Sequence, residues 1–109
     1  MSWCPEAVVI YGYKLPRDKW NEGIEVYENH FLNFDISDYF IDTNPMSEDG
    51  DTFFGIITAG IGEDEPFAAI TQFVISNEEV AELTNWFIKL YGYNYDKYHP
   101  DYYIGVRWV

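Results

Sequence analysis

The clearest pattern of apolar and polar positions in the chain lies between Ser76 and Tyr91. Apolar side chains recur in this stretch at the 3.6-residue period of an α-helix. The recurring positions are Val80, Leu83, Phe87 and Leu90. Glutamates fill the first turn and Lys89 lies in the last, which is the charge order that the helix dipole favours. The stretch is therefore predicted to be a helix with one apolar face.

Both ends of this helix carry local signals as well. Ser76 followed by Glu79 is a capping box, in which each side chain accepts a hydrogen bond from the backbone N–H of the other residue. Ile75 and Val80 occupy the two positions of a hydrophobic staple. Gly92 then follows as a natural C-terminal cap. These signals predict where the helix begins and ends.

A second helix is predicted from Pro16 to His30, because proline is favoured near the first helical position. Its apolar stripe consists of Trp20, Ile24, Tyr27 and Phe31. Acidic residues project on or near the opposite side, at Asp18, Glu22, Glu25 and Glu28. Gly23 interrupts this pattern, at a cost of about 1 kcal/mol relative to alanine.

Two stretches are apolar on both faces, as is typical of strands in the centre of a sheet. They run from Ala7 to Leu15 and from Thr52 to Ile61. Phe67 to Ile75 is predicted to return as the hairpin partner of the second strand, after a tight acidic turn at Gly62 to Pro66.

The remaining stretches predict short strands and loops. Tyr39 to Thr43 has the composition of a strand, and Tyr102 to Val109 closes the chain as another. Residues of the last strand that alternate on one face are Tyr102, Ile104, Val106 and Trp108. Leu32 to Ser37 is either a short strand or an extended connector. Asn44 to Asp51 is predicted to be an exposed loop, and Tyr93 to Asp101 a tyrosine-rich one.

The order of these elements, β-α-β-β-β-α-β, predicts an α+β fold. We expect one domain over residues 1–109, with a mostly antiparallel sheet of about five strands and two helices packed on one face. A β-α-β unit at each end resembles the ferredoxin-like arrangement with an added strand.

Charge narrows the range of partners. Nineteen acidic residues oppose six lysines and arginines, for a formal charge of −13. A content of 48% hydrophobic residues, with 20% aromatic residues, argues against disorder. A folded acidic domain repels nucleic acid and anionic membranes, so a basic protein is the expected partner. The alternative is that the charge only keeps an aromatic-rich chain soluble.

The chain contains neither an apolar run of about 18 residues nor the pattern of a signal peptide, so a cytoplasmic location is expected. The single Cys4 excludes a disulfide framework within the chain. Nothing in the sequence places His30 or His99 beside Cys4, and no nucleophile elbow is present. We therefore expect no enzymatic activity and no cofactor.

The stretch from Asp42 to Asp51 is a candidate calcium loop, with a simple turn as the alternative. Oxygen ligands of the kind that calcium prefers occur at Asp42, Asn44, Glu48, Asp49 and Asp51. The spacing departs from the EF-hand pattern, since Met46 stands at the third ligand position and the glycine comes at Gly50 instead of Ser47. A simple turn without a metal ion is the favoured interpretation.

Candidate binding residues lie on the predicted helix faces and in three loops. The helix-face acids are Glu22, Glu25, Glu78, Glu79 and Glu82. Trp86 borders them and is a candidate anchor of an interface, the alternative being that it packs under a neighbouring loop. Tyr93, Tyr95 and Tyr98 are expected to be partly exposed and suited to recognition, whereas Tyr91 and Tyr102 are expected to face inward.

Two acidic loops flank the strand from Thr52 to Ile61. One contains Glu48, Asp49 and Asp51, and the other contains Glu63, Asp64 and Glu65. Ten strand residues at about 3.3 Å each separate them by roughly 30 Å. Charges spread over this distance could imitate the phosphates of a duplex, or they could be two ordinary solvated turns.

The sequence thus favours an acidic interaction protein that binds and inhibits a basic, nucleic-acid-handling protein. In size, acidity and lack of a catalytic motif it resembles phage-encoded inhibitors of host defence and other DNA-mimic proteins, although no family motif carries this likeness. One alternative is a small-ligand or metal-binding module with a tyrosine-lined pocket between the sheet and the loop from Tyr93 to Asp101. Another is an assembly component in which Ile104–Val109 pairs between subunits.

Overall fold

The computed structural model describes residues 5–44, 50–61, 75–92 and 97–108. These residues form four strands, two α-helices and one short 3-10 helix. The strands are β1 (Pro5–Leu15), β2 (Phe40–Asp42), β3 (Thr52–Ile61) and β4 (Asp101–Trp108). The helices are α1 (Arg17–His30) and α2 (Asn77–Tyr91), and the 3-10 helix spans Ser37–Tyr39.

The described strands form one antiparallel sheet in the order β2-β3-β1-β4. With the chain order β1-α1-β2-β3-α2-β4, this is the split β-α-β arrangement of ferredoxin-like folds. The α+β class and the central positions of the two doubly apolar strands are confirmed. The sheet has four described strands instead of about five, and residues 62–74, which include the predicted turn and most of the added strand, lie outside the described residues.

An aromatic core joins the sheet to both helices, which pack on the same face. Tyr13 of β1 stacks on Phe87 of α2, with the ring centroids 3.7 Å apart and the planes 8° from parallel. Phe54 of β3 lies beside them, and both Phe54 and Phe87 are fully buried. Half-buried side chains of α1, such as Trp20 and Tyr27, complete this core. We call this face the helical side of the sheet.

The opposite face of the sheet is also buried, because the sheet curls around it. Its smaller core contains Val8, Ile10, Ile41 and Phe53. Among the described strands, β2 and β4 are opposite edges of the sheet, yet the Trp108 N–H donates a hydrogen bond to the Thr43 carbonyl oxygen just after β2 (2.9 Å). A register shift between Val9 and Ile10 lies in the centre of the sheet, and such bulges increase strand twist.

The structure decides one open alternative and corrects one expectation. Leu32 to Ser37 belongs to an irregular connector and not to a strand, and the Phe34 N–H donates to the Phe31 carbonyl oxygen there (3.0 Å). We call residues 31–39, which join α1 to β2 and include the 3-10 helix, the connector. Tyr91 is buried as expected, but Tyr102 is 44% exposed because the helices do not extend over β4. Neither described helix is long and apolar enough to cross a membrane.

Candidate protein interface on the helical side of the sheet

Ion pairs neutralise four of the six lysines and arginines of the chain. Arg17 pairs with Asp42, Lys14 with Asp51, Lys19 with Glu22 and Arg107 with Glu6. The Lys89 ammonium lies over the Trp86 ring, 4.5 Å from its centroid. Most of the positively charged side chains are therefore paired with carboxylates of the same chain.

The remaining acids of the described residues form no ion pair with another described residue. Nine such residues remain, and all are exposed. Three lie on α1, two on the connector and three on α2, namely Asp18, Glu25, Glu28, Asp35, Asp38, Glu78, Glu79 and Glu82. Only Asp101, at the start of β4, lies elsewhere. Within the described part of the chain, uncompensated negative charge is thus concentrated on the helical side of the sheet.

These positions match the sequence prediction for the helix faces. Glu25, Glu78, Glu79 and Glu82 are exposed, and so is Glu22, which pairs with Lys19 at 3.2 Å. Glu79 also completes the capping box, since its N–H donates to the Ser76 hydroxyl (3.2 Å). Whether a partner binds these acids stays a prediction.

Neighbouring acids contribute to raised pKa values at two tyrosines. Burial first, and then the negative charges of Glu82 and Glu79, raise the pKa of the Tyr39 hydroxyl. Burial first, and then the charge of Glu22, raise the pKa of the Tyr91 hydroxyl. The acids of α2 are therefore close to the connector, and those of α1 reach the end of α2.

Trp86 is not the exposed anchor that its helical position suggested. The side chain is only 7% exposed and lies beneath the connector. This confirms the alternative that Trp86 packs under a neighbouring loop. Phe31 and Phe34 contact it edge-on, with centroids 5.5 and 5.0 Å from the Trp86 rings. Trp86 therefore belongs to the core.

Exposed apolar groups lie above it, on the connector. Leu32 is 66% exposed and Phe34 is 52% exposed. The Tyr27 hydroxyl donates to the Phe34 carbonyl oxygen (2.9 Å), which ties this turn back to α1. We call Leu32 and Phe34 the connector patch. Sequence reasoning missed it because the alternation of Leu32, Phe34 and Ile36 also fits a strand.

The acidic and tyrosine loops are only partly described. Glu48, Asp49, Glu63, Asp64, Glu65, Tyr93 and Tyr95 lie outside the described residues. Asp51 is described and pairs with Lys14 at 3.6 Å. Tyr98 packs edge-on against Phe87 at 6.5 Å and is half-buried, so its partial exposure is confirmed. The spacing of the two loops stays a prediction.

Arg17 binds the two described ends of the candidate calcium loop. Both oxygens of Asp42 accept hydrogen bonds from the Arg17 guanidinium, at 2.6 and 3.1 Å. The same guanidinium donates to the Gly50 carbonyl oxygen (3.0 Å). The Asn44 N–H donates to the Asp42 carboxylate (3.1 Å), as in an Asx-turn. Among the described residues, no group of three or more metal-ligating side chains occurs.

A cavity of about 590 Å³ opens beside β2, but it is not the tyrosine-lined pocket that the second hypothesis requires. Its walls include Asp38, Phe40, Ile57 and Trp108, and Tyr39 is the single tyrosine among the described residues that line it.

Comparison with protein-family models, curated proteins and solved structures gave no match to this chain.

Proposed function

We propose that this protein binds a basic, nucleic-acid-handling protein through the helical side of its sheet and thereby inhibits it. The observation that supports this function is the distribution of uncompensated carboxylates. Eight of the nine described acids without an ion pair lie on α1, the connector and α2. A charge that served solubility alone would have no reason to favour one side of the sheet.

The mechanism is electrostatic competition. Nucleic-acid-binding surfaces carry lysines and arginines that neutralise phosphates, and a carboxylate surface attracts the same groups. Complementary charge raises the association rate and selects the face that docks. When this protein covers the basic surface of the partner, nucleic acid can no longer bind there. Inhibition of a host-defence protein in the cytoplasm, as phage-encoded inhibitors and DNA mimics carry out, is the form of this function that we favour.

Capture from cell lysate on the tagged protein tests the proposal, at low and at high salt. We expect a stoichiometric basic protein that salt releases, and we expect added duplex DNA or RNA to compete with the tagged protein for it. Absence of a partner at both salt concentrations, or a partner whose binding does not change with salt, would contradict the proposal.

Two variants of equal net charge make this test specific. Glu25→Gln with Glu82→Gln removes two charges from the helical side, and both side chains are exposed. Asp51→Asn with Asp101→Asn removes two charges from elsewhere. The first pair should slow association several-fold at low salt, and the second should leave it near the wild-type rate. Equal effects of the two pairs would show that the side of the sheet does not matter.

A second candidate function is assembly through β4. Ile104 is 81% exposed and Val106 is 53% exposed, on the part of the helical side that the helices do not cover. Apolar side chains on an edge strand favour pairing between subunits. Sedimentation over a wide concentration range tests this function, and a monomer at all concentrations would contradict it.

A further inference from the structure

We propose that the connector patch is the apolar anchor of the interface and that it receives an arginine side chain of the basic partner. This proposal rests on the proposed function, because it names the contact that gives the acidic surface its short-range binding energy. Charge steers a partner, whereas buried aromatic contacts supply most of the affinity in known interfaces. Leu32 and Phe34 are the candidates for such contacts beside the unpaired acids.

The exposure of Phe34 is the first observation. One edge of its ring packs on Trp86 at 5.0 Å, while 52% of the residue stays accessible to solvent. Leu32 is more exposed still, at 66%. Burial of such side chains is favourable roughly in proportion to the apolar area that is removed from water. A partner that covers the connector patch therefore gains binding energy.

The internal hydrogen bonding of the connector is the second observation. The Phe34 N–H donates to the Phe31 carbonyl oxygen (3.0 Å), and the Ile36 N–H donates to the Phe34 carbonyl oxygen (3.1 Å). The Tyr27 hydroxyl bonds that same carbonyl (2.9 Å), and the Ile36 side chain is buried in the core of the helical side. Binding would therefore order few additional groups, which lowers its entropic cost.

The surrounding charge identifies the chemistry of the partner. Asp35 follows Phe34 directly, Asp38 lies in the next turn of the connector, and Glu82 lies one helical turn before Trp86. None of the three has an ion pair with a described residue. A guanidinium is planar and weakly hydrated, so it can stack on an aromatic ring while it bonds a carboxylate. An ammonium is more strongly hydrated and suits this combination less well.

The exposed strip on β4 does not share this environment. Near Ile104 and Val106, Arg107 is already paired with Glu6 at 3.1 Å, and Asp101 is the only acid of the strand. The strip offers apolar area without carboxylates to select a basic partner. It therefore serves as a control surface.

Two synthetic peptides of twelve residues provide the probe, since the partner itself is not needed. One alternates arginine with leucine, and the other replaces every arginine by lysine. Binding to the full-length protein is measured by calorimetry at low salt. We expect the arginine peptide to bind about tenfold more tightly than the lysine peptide. Equal binding of the two peptides would overturn the choice of arginine.

Substitutions then locate the site. Phe34→Ala should weaken binding of the arginine peptide by about tenfold or more, as expected for an anchor residue. Phe34→Leu keeps an apolar contact with Trp86 but removes the ring, so it should lose most of the preference for arginine over lysine. Ile104→Ala, on the β4 strip, should bind as wild type does. Thermal melts of the three variants show whether each one is folded.

The outcomes separate this proposal from the proposed function. If Phe34→Ala and Phe34→Leu bind the arginine peptide as tightly as wild type, the anchor is overturned. Slower association of the basic partner with the Glu25→Gln, Glu82→Gln variant would then still support the proposed role of the acidic surface. If the wild-type protein binds neither peptide, the arginine anchor is overturned, and the capture experiment decides the proposed function separately.

Discussion

The two helices of this protein are of similar length but are stabilised in different ways. α2, with 15 residues, begins at a capping box made by Ser76 and Glu79. It ends at Gly92, which adopts a positive φ of 46°. α1, with 14 residues, begins after Pro16, where no side chain caps the helix. The first helix therefore lacks the end signals that define the second.

Contacts from distant segments hold α1 instead. Arg17 binds Asp42 and the Gly50 carbonyl oxygen, beyond the end of the helix. The Trp20 indole N–H donates to the Phe53 carbonyl oxygen of β3 (3.0 Å). Gly23 is the one buried residue of α1, because Tyr91 of α2 packs against its backbone.

This difference teaches that similar helices in one domain can depend on different parts of the sequence. Caps lie within four residues of the groups that they satisfy, so α2 is encoded locally. α1 depends on partners that lie between 25 and 71 positions away, such as Asp42 and Tyr91. Substitutions in α1 should therefore depend on tertiary structure in a way that those at the start of α2 do not.

The largest effect is expected for Gly23→Ala. In an exposed helix this change stabilises by about 1 kcal/mol. Here the added Cβ would overlap the Tyr91 hydroxyl and ring, so we expect a loss of about 3 kcal/mol in the free energy of unfolding. Urea denaturation measures it. Combined with Tyr91→Leu, the substitution should cost much less, and a gain in stability from Gly23→Ala alone would contradict the packing.

The next effect is expected for Arg17→Met, which leaves the largely buried carboxylate of Asp42 without its charged partner. Hydrogen bonds to charged groups contribute about 1.5–3 kcal/mol, and partial exposure reduces this, so we expect a loss of about 2 kcal/mol. Lys19→Met in the same helix is the matched control. Its exposed pair with Glu22 should contribute less than about 0.5 kcal/mol. Similar losses for both would remove the tertiary origin of α1 stability.

A dependence on alkaline pH should follow from the contact between the helices. Burial and Glu22 raise the pKa of Tyr91 above its ordinary value of 10.0, so the folded protein keeps this proton when the unfolded chain has lost it. The associated stability is complete below pH 10 and is lost as the pH rises further, by about 1.4 kcal/mol per unit. Unfolding by urea at pH 9 and pH 11 measures the loss. Tyr91→Phe should show a smaller loss, and an equal one would exclude Tyr91 as its source.

The smallest effect is expected at the start of α2. Ser76→Ala removes the cap that accepts a hydrogen bond from the Glu79 N–H, at a cost of about 1 kcal/mol. Ser76→Asp keeps an acceptor there and should stay close to wild type. The same urea assay measures both variants. A cost as large as that of Gly23→Ala would show that α2, too, depends on more than its local signals.

Some features of the candidate interface were predictable from local sequence, whereas others depend on distant segments. Exposure of the helix-face acids was predicted from helical periodicity, since a charged face on an amphipathic helix points to solvent. Burial of Trp86 was not decided by periodicity, because its position lies at the margin of the apolar stripe of α2. The connector that covers it, with Phe31 and Phe34, comes from more than 50 positions earlier in the chain.

The sequence by itself determined the limits of α2, the two central strands, the α+β class and the acidity of the chain. Each of these depends on residues that are close together in the sequence or on composition alone. Only the tertiary structure decided that Gly23 accommodates Tyr91, that Arg17 binds Asp42 and Gly50, and that β4 meets Thr43. It also decided that the connector exposes Leu32 and Phe34. The physical reason is that burial and pairing depend on which distant segments meet, and local patterns do not contain that information.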